Sequence, residues 1–211
     1  MKGKMTKNRL YYTNSARTML VIGAMVLLAA CGTTPTAVSP LAPERPKAEF
    51  SQDDYNVALE LMKQKKYSEA VAAFETIIRE HPGRVGPRIN LGIAYRELGN
   101  FEQSRKALLE ATKTNPRSAI AFNELGLAYR KLGDFTNAKT AYTRSIKNKS
   151  RYSPAYRNLG ILCDIYMQDL PCAIKNYEKY NSLTGGEDKT VGLWIVDLKK
   201  RAGIDIKVKK Q

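Results

Sequence analysis

The sequence predicts an all-α solenoid of about four helix-turn-helix repeats closed by a capping helix. Three observations carry that expectation. An eleven-residue phrase at 91–101 returns at 125–135 with eight residues identical, an offset of 34. A short apolar run near the start ends in a cysteine and is followed by a proline-rich stretch. A final amphipathic segment follows Gly185-Gly186, where a repeat stack needs its open end covered.

The chain has 211 residues, 43% apolar and 26% charged, the balance of a soluble globular protein. Its formal net charge is +15, which suits anionic partners such as nucleic acid, a lipid headgroup layer or an acidic protein face. Five of the cations (Lys2, Lys4, Lys7, Arg9 and Arg17) precede residue 31, where there is no acidic residue.

Residues 1–30 read as an export signal: a basic start, then the run Met19–Ala30, MLVIGAMVLLAA. Twelve helical residues reach only about 18 Å, short of a bilayer core. The run closes with Leu28-Ala29-Ala30-Cys31, which resembles a bacterial lipobox. The resemblance implies cleavage before Cys31 and acylation of that cysteine, a durable membrane anchor. Gly32, where an inner-membrane retention signal has Asp, points to the outer membrane and its periplasmic face rather than the inner membrane. Residues 31–50 then form the lipidated cysteine and a linker with four prolines after Gly32, too poor in apolar side chains to fold.

The repeats occupy 51–185, as units 51–84, 85–118, 119–152 and 153–185. Leu91-Gly92 returns as Leu125-Gly126 and Leu159-Gly160, with Ala58 one period earlier. Antiparallel helices that approach closely need small residues at the contact. Ala58, Gly92, Gly126 and Gly160 supply them on the first helices, and Ala70, Ser104, Ala138 and Ala173 on the second. Pro82 and Pro116 stop second helices; Gly99-Asn100 and Gly133-Asp134 read as a helix stop followed by a new N-cap. Ser51 and Ser153-Pro154 mark helix starts.

This pattern resembles the tetratricopeptide repeat (TPR) family. The departures are Asp54 where a large aromatic is common, Ser150 in place of a terminal proline, and one extra residue in the turn of unit four. Segment 186–211 supplies the cap and a basic tail. Val191, Trp194, Ile195 and Leu198 share one helical face, so Trp194 either packs on unit four or stands out as a partner anchor.

The resemblance implies a concave surface lined by first helices. In this register it carries Tyr55, Leu59, Met62, Ile89, Ile93, Arg96, Asn123, Leu127, Arg130, Arg157, Ile161 and Asp164. An apolar floor flanked by arginines suits a protein or peptide segment bearing acidic groups. Alternatively, those arginines pair with Glu97 or Glu124. The chain does not resemble the TPRs that clamp a C-terminal carboxylate, because Leu59, Ile93 and Leu127 stand where those place Lys, Asn and Arg.

Cys163 and Cys172 flank the turn of unit four on facing helices. They are either a disulfide, in an oxidising compartment, or two small buried thiols. A lone histidine, His81, and the lack of any readable Ser-His-Asp set, metal cluster or phosphate loop argue against an enzyme and predict no cofactor or metal. The tyrosines fall at packing positions, which argues against nucleic-acid binding as in DNA uptake. The expected function is a membrane-anchored scaffold or assembly factor for an envelope machine. The chain resembles the pilotin-type TPR lipoproteins of type IV pili; ExbB/ExbD-type and gliding machineries are related expectations. An adaptor for peptidoglycan hydrolases or proteases is the alternative.

Overall fold

The structure is a computed structural model that describes residues 49–204. The expected export signal, Cys31, most of the expected linker and the tail from residue 205 lie outside the described residues. Within them the chain is helical throughout: α1 (Gln52–Lys63), α2 (Tyr67–Glu80), α3 (Val85–Glu97), α4 (Phe101–Thr114), α5 (Ala119–Lys131) and α6 (Phe135–Asn148) come first. Then α7 (Ser153–Ile161) runs into a π-helical turn (Leu162–Tyr166), followed by α8 (Leu170–Leu183) and α9 (Lys189–Arg201).

Local chemistry sets the boundaries. Ser51 accepts the Asp54 amide at 3.2 Å, Ser118 that of Ala121 at 3.2 Å, and Asp134 that of Asn137 at 3.1 Å. Asp169 and Asp188 do the same for α8 and α9. Asn100 holds the corresponding place before α4, but its side chain makes no capping bond. Helix α7 begins at Ser153 itself, with Pro154 in its first turn. His81 ends α2 and lies edge-on to Phe50 at 5.3 Å, a packing position.

Each hairpin turns through one residue in the left-handed region. Gly99 (φ 79°) and Gly133 (φ 77°) serve units two and three; Lys65 (φ 59°) and Gln168 (φ 53°) occupy the same place in units one and four. Only glycine takes that conformation without a steric cost.

Inside the hairpins the close contact differs from the small-on-small arrangement expected. A Cβ on Gly92 would lie 2.4 Å from Leu108 Cγ, one on Gly126 2.5 Å from Tyr142 Cε1, and one on Gly160 2.6 Å from a Tyr177 ring carbon. The glycines are therefore sockets for large side chains of the second helix. Ala70, Ser104, Ala138 and Ala173, one turn earlier, are also fully buried. Tyr142 and Tyr177 fill the sockets and are buried themselves, which is why glycine is required beneath them.

The extra residue of unit four is absorbed without loss of register. Glycine and ring stand 16 residues apart in unit three and 17 in unit four, and the π-helical turn takes up the difference. The Cys163–Cys172 disulfide closes that turn, resolving the alternatives for these two residues. Helix α9 buries Val191, Ile195 and Leu198, and its Trp194 ring packs 5.4 Å from Tyr177. Trp194 is thus half-buried against unit four and part of the cap.

Candidate functional site

The helices that line the inner side can be read from packing. Helices α1, α3, α5 and α7 each touch the next of their kind, and the consecutive second helices have no comparable contact. The stack therefore bends with its first helices inside, and their free face is the concave surface.

Four side chains recur there at one register. Leu59, Ile93, Leu127 and Ile161 are each half-buried and spaced by 34 residues, so they form an apolar stripe crossing all four units. Met62 and Tyr55 extend it at the first unit, where Asn90 donates to the Tyr55 hydroxyl at 2.7 Å. Ile89 (8% exposed) and Asn123 (2% exposed) are core residues and lie beneath this face rather than on it.

The basic flank is largely neutralised from within. Arg96 donates to Glu124 and, at 3.0 Å, to Glu97, so it is tied down as the alternative reading had it. Asn123 donates to Glu124 at 3.0 Å and accepts from Asn158 at 2.9 Å, continuing the polar network into unit four. Arg157 lies 3.7 Å from Asp188 with its guanidinium 5.8 Å from the Trp194 ring; Asp164 lies 3.7 Å from Arg201. Sequence reasoning missed these last partners because they come from the cap, far along the chain. Arg130 alone of the three arginines has no carboxylate partner among the described residues, and its guanidinium stands 5.8 Å from the Tyr166 ring.

The electrostatics follow burial. Desolvation in its socket, ahead of the nearby charges, pushes the Tyr142 hydroxyl well above its ordinary pKa, and the same holds for Tyr177. Tyr95, on the outer side of α3, donates to Glu75 at 2.6 Å, and that bond pushes it up to about 12.

On the convex side, α6 carries Lys139, Arg144 and Lys147 and no acidic residue. With Thr136, Thr140, Thr143 and Met167 they line a shallow cleft of about 440 Å³. Asp169, Cys163 and Cys172 come close together at the turn of unit four, but both sulfurs are taken by the disulfide.

An apolar inner stripe on paired, stacked helices defines a helical-repeat scaffold, a surface for holding another polypeptide. The chain carries tetratricopeptide repeats: residues 54–83 and residues 89–162 match profiles described as tetratricopeptide repeat. Solved structures share the architecture. MamA protein superposes with a TM-score of 0.62 at 23% identity, covering 72% of this chain and 82% of that one. PilF of Pseudomonas aeruginosa gives 0.65 at 16% identity, over 72% and 68%. The first TPR of Spaghetti (RPAP3), bound to the HSP90 peptide SRMEEVD, gives 0.53 at 17% identity, over 56% and 93%. No curated protein sequence matches the chain. TPR proteins are generally non-enzymatic scaffolds for protein–protein interaction.

Proposed function

We propose that this chain is a lipid-anchored assembly scaffold of the bacterial envelope. Cys31 carries the anchor at the periplasmic face of the outer membrane, residues 32–50 form the tether, and the stack holds a partner segment along its concave side. The observation that carries the reading is the stripe of Leu59, Ile93, Leu127 and Ile161. Each of the four is half-exposed at one register, although burying apolar surface is worth about 25 cal/mol per Å². A stripe left open across every unit is what a guest segment would cover. The likeness of fold to PilF fits an assembly role, as does the lipobox-like sequence before Cys31.

Crosslinked co-purification of the full chain from detergent-solubilised envelopes tests this. Leu127→Asp should lose the captured partner while far-ultraviolet circular dichroism stays unchanged. Cys31→Ser should move the protein from the membrane pellet to the soluble fraction. Undiminished capture by Leu127→Asp would place the binding face elsewhere, and a membrane-bound Cys31→Ser protein would remove the anchor.

A further inference from the structure

Comparing the units position by position shows one place where the internal neutralisation stops. Arg96 in unit two is held by Glu124, on the first helix of the next unit, and by its neighbour Glu97. One repeat on, Arg130 takes the place of Arg96. The residue in the Glu124 position is then Asn158, and the one in the Glu97 position is Lys131. Both carboxylates are gone. The Asn158 amide is already committed, donating to Asn123 at 2.9 Å. The acid in line with Arg130 on the following unit, Asp164, lies 3.7 Å from Arg201.

The surroundings do not compensate. The Arg130 Nη1 is buried with no hydrogen-bond partner, and so is the hydroxyl of the fully buried Tyr142. Arg130 acts on the Tyr142 hydroxyl alongside Glu124, and on Tyr177 alongside Asp164, but both acids are already paired, Glu124 with Arg96 and Asp164 with Arg201. Tyr166 walls the Arg130 guanidinium from the side of the π-helical turn, and the rest of the side chain remains partly open to solvent. A cation half withdrawn from water and lacking a counter-charge is costly, and an incoming carboxylate recovers that cost. Leu127, one turn earlier on the same helix, puts the apolar stripe directly beside it.

From this we infer that Arg130 is the seat for one acidic side chain of the guest polypeptide, flanked in the guest by apolar residues that lie on Leu127 and its equivalents. The inference rests on the concave face being the binding face, and it narrows the guest to an apolar segment with an internal Asp or Glu. The register is not that of Leu59, Ile93 and Leu127, so the seat takes a side-chain carboxylate within a segment rather than a chain end. It also assigns the arginines different roles: Arg96 and Arg157 stiffen the stack, and Arg130 reads the guest.

The test is selection from a displayed random-peptide library on the full chain held in detergent. Wild type should enrich peptides with one Asp or Glu at a fixed distance from apolar residues. Arg130→Gln should weaken the selected peptide by about thirtyfold, the lower end for removing one partner of a desolvated charge pair. Arg130→Lys, which keeps the charge and guards against a folding defect, should retain most of the binding. Asn158→Glu restores the carboxylate of the previous unit. It should weaken the acidic peptide as Arg130→Gln does, while giving up the hydrogen bond that Asn158 donates to Asn123.

Peptides enriched without an acidic position, or an acidic position that still matters in Arg130→Gln, would overturn the seat. If Leu127→Asp abolishes binding while Arg130→Gln does not, the seat fails and the groove stands. If neither substitution matters, or if no peptide is selected, the groove reading fails with it.

Discussion

A methyl group on Gly126 measures the tightness of the hairpins on which the architecture depends. The added Cβ would lie 2.5, 2.6 and 2.9 Å from three atoms of the Tyr142 ring. That ring is fully buried and packs in a cluster with Leu159 and Tyr177, so it has nowhere to swing. Overpacking of this kind costs about 1–3 kcal/mol. Replacing a helical glycine by alanine returns about 1 kcal/mol of propensity, so the net loss for Gly126→Ala is about 0–2 kcal/mol. Gly192→Ala is the matched control: it also lies within a helix, and its Cβ would meet nothing within 4 Å. It should gain the propensity and nothing else. The gap between the two variants therefore isolates the steric term. At about 2 kcal/mol it corresponds to roughly 6 °C in melting temperature for a stack of this size. Thermal unfolding followed by circular dichroism reads it directly. Gly126→Ala melting as high as Gly192→Ala would refute the socket.

Four further outcomes follow from the same contacts. Lys65→Gly and Gln168→Gly remove left-handed strain at positions where units two and three already have glycine, and each should raise stability by about 0.5–1 kcal/mol in urea unfolding; a loss would contradict the turn geometry. Reducing Cys163–Cys172, which closes a loop of sequence separation 9, should cost about 2–3 kcal/mol. Thiol titration of air-oxidised, denatured Cys31→Ser protein should find neither cysteine free, and two titratable thiols would rule the bridge out. The raised Tyr95, up to about 12, with Tyr142 and Tyr177 raised by burial, means stability is present below pH 10 and is lost as pH climbs through the folded-state values. Tyrosinate absorbance should show Tyr142 and Tyr177 ionising only as helicity collapses, and their titration with intact helicity would contradict their burial. Leu198→Ala, at a 1% exposed site, should cost about 2–5 kcal/mol and shift the single tryptophan's emission to the red as the cap loosens from Tyr177; an unshifted spectrum would mean α9 is held otherwise.

The stack was legible because its period is written in residues that have few substitutes. A Cβ at Gly92, Gly126 or Gly160 would collide with the side chain opposite, so Leu-Gly pairs spaced by 34 mark three of the first helices, and Gly99 and Gly133 mark the turns. The same logic fails where a unit tolerates strain. Lys65 and Gln168 do the work of glycine and carry no signal of it. The partners of the sockets were also hidden. Periodicity locates Tyr142 and Tyr177 on buried faces but does not say which residue of the opposing helix they cover. The inserted residue of unit four was visible as a broken offset, whereas its absorption into a π-helical turn was not.

The groove was legible to the same degree. Its apolar stripe sits at one register and could be read by counting, as could the two candidate partners of Arg96, Glu97 and Glu124. Ile89 and Asn123 were assigned to the surface because first-helix positions near the edge of the face turn inward only once neighbouring units pack on them. The contacts of Arg157 with Asp188, and of Asp164 with Arg201, depend on how α9 docks, and no local pattern encodes that.

The most direct measurement of the central claim is photocrosslinking in living cells from single positions on the two sides of the stack. A photoreactive residue at Ile93, Leu127 or Ile161 should give one adduct of common mass, and none should form from Thr140 or Thr143 on the outer face of α6. Adducts from Thr140 or Thr143, with Leu127 silent, would show that the guest rides on the outside of the curve and that the inner stripe serves another end.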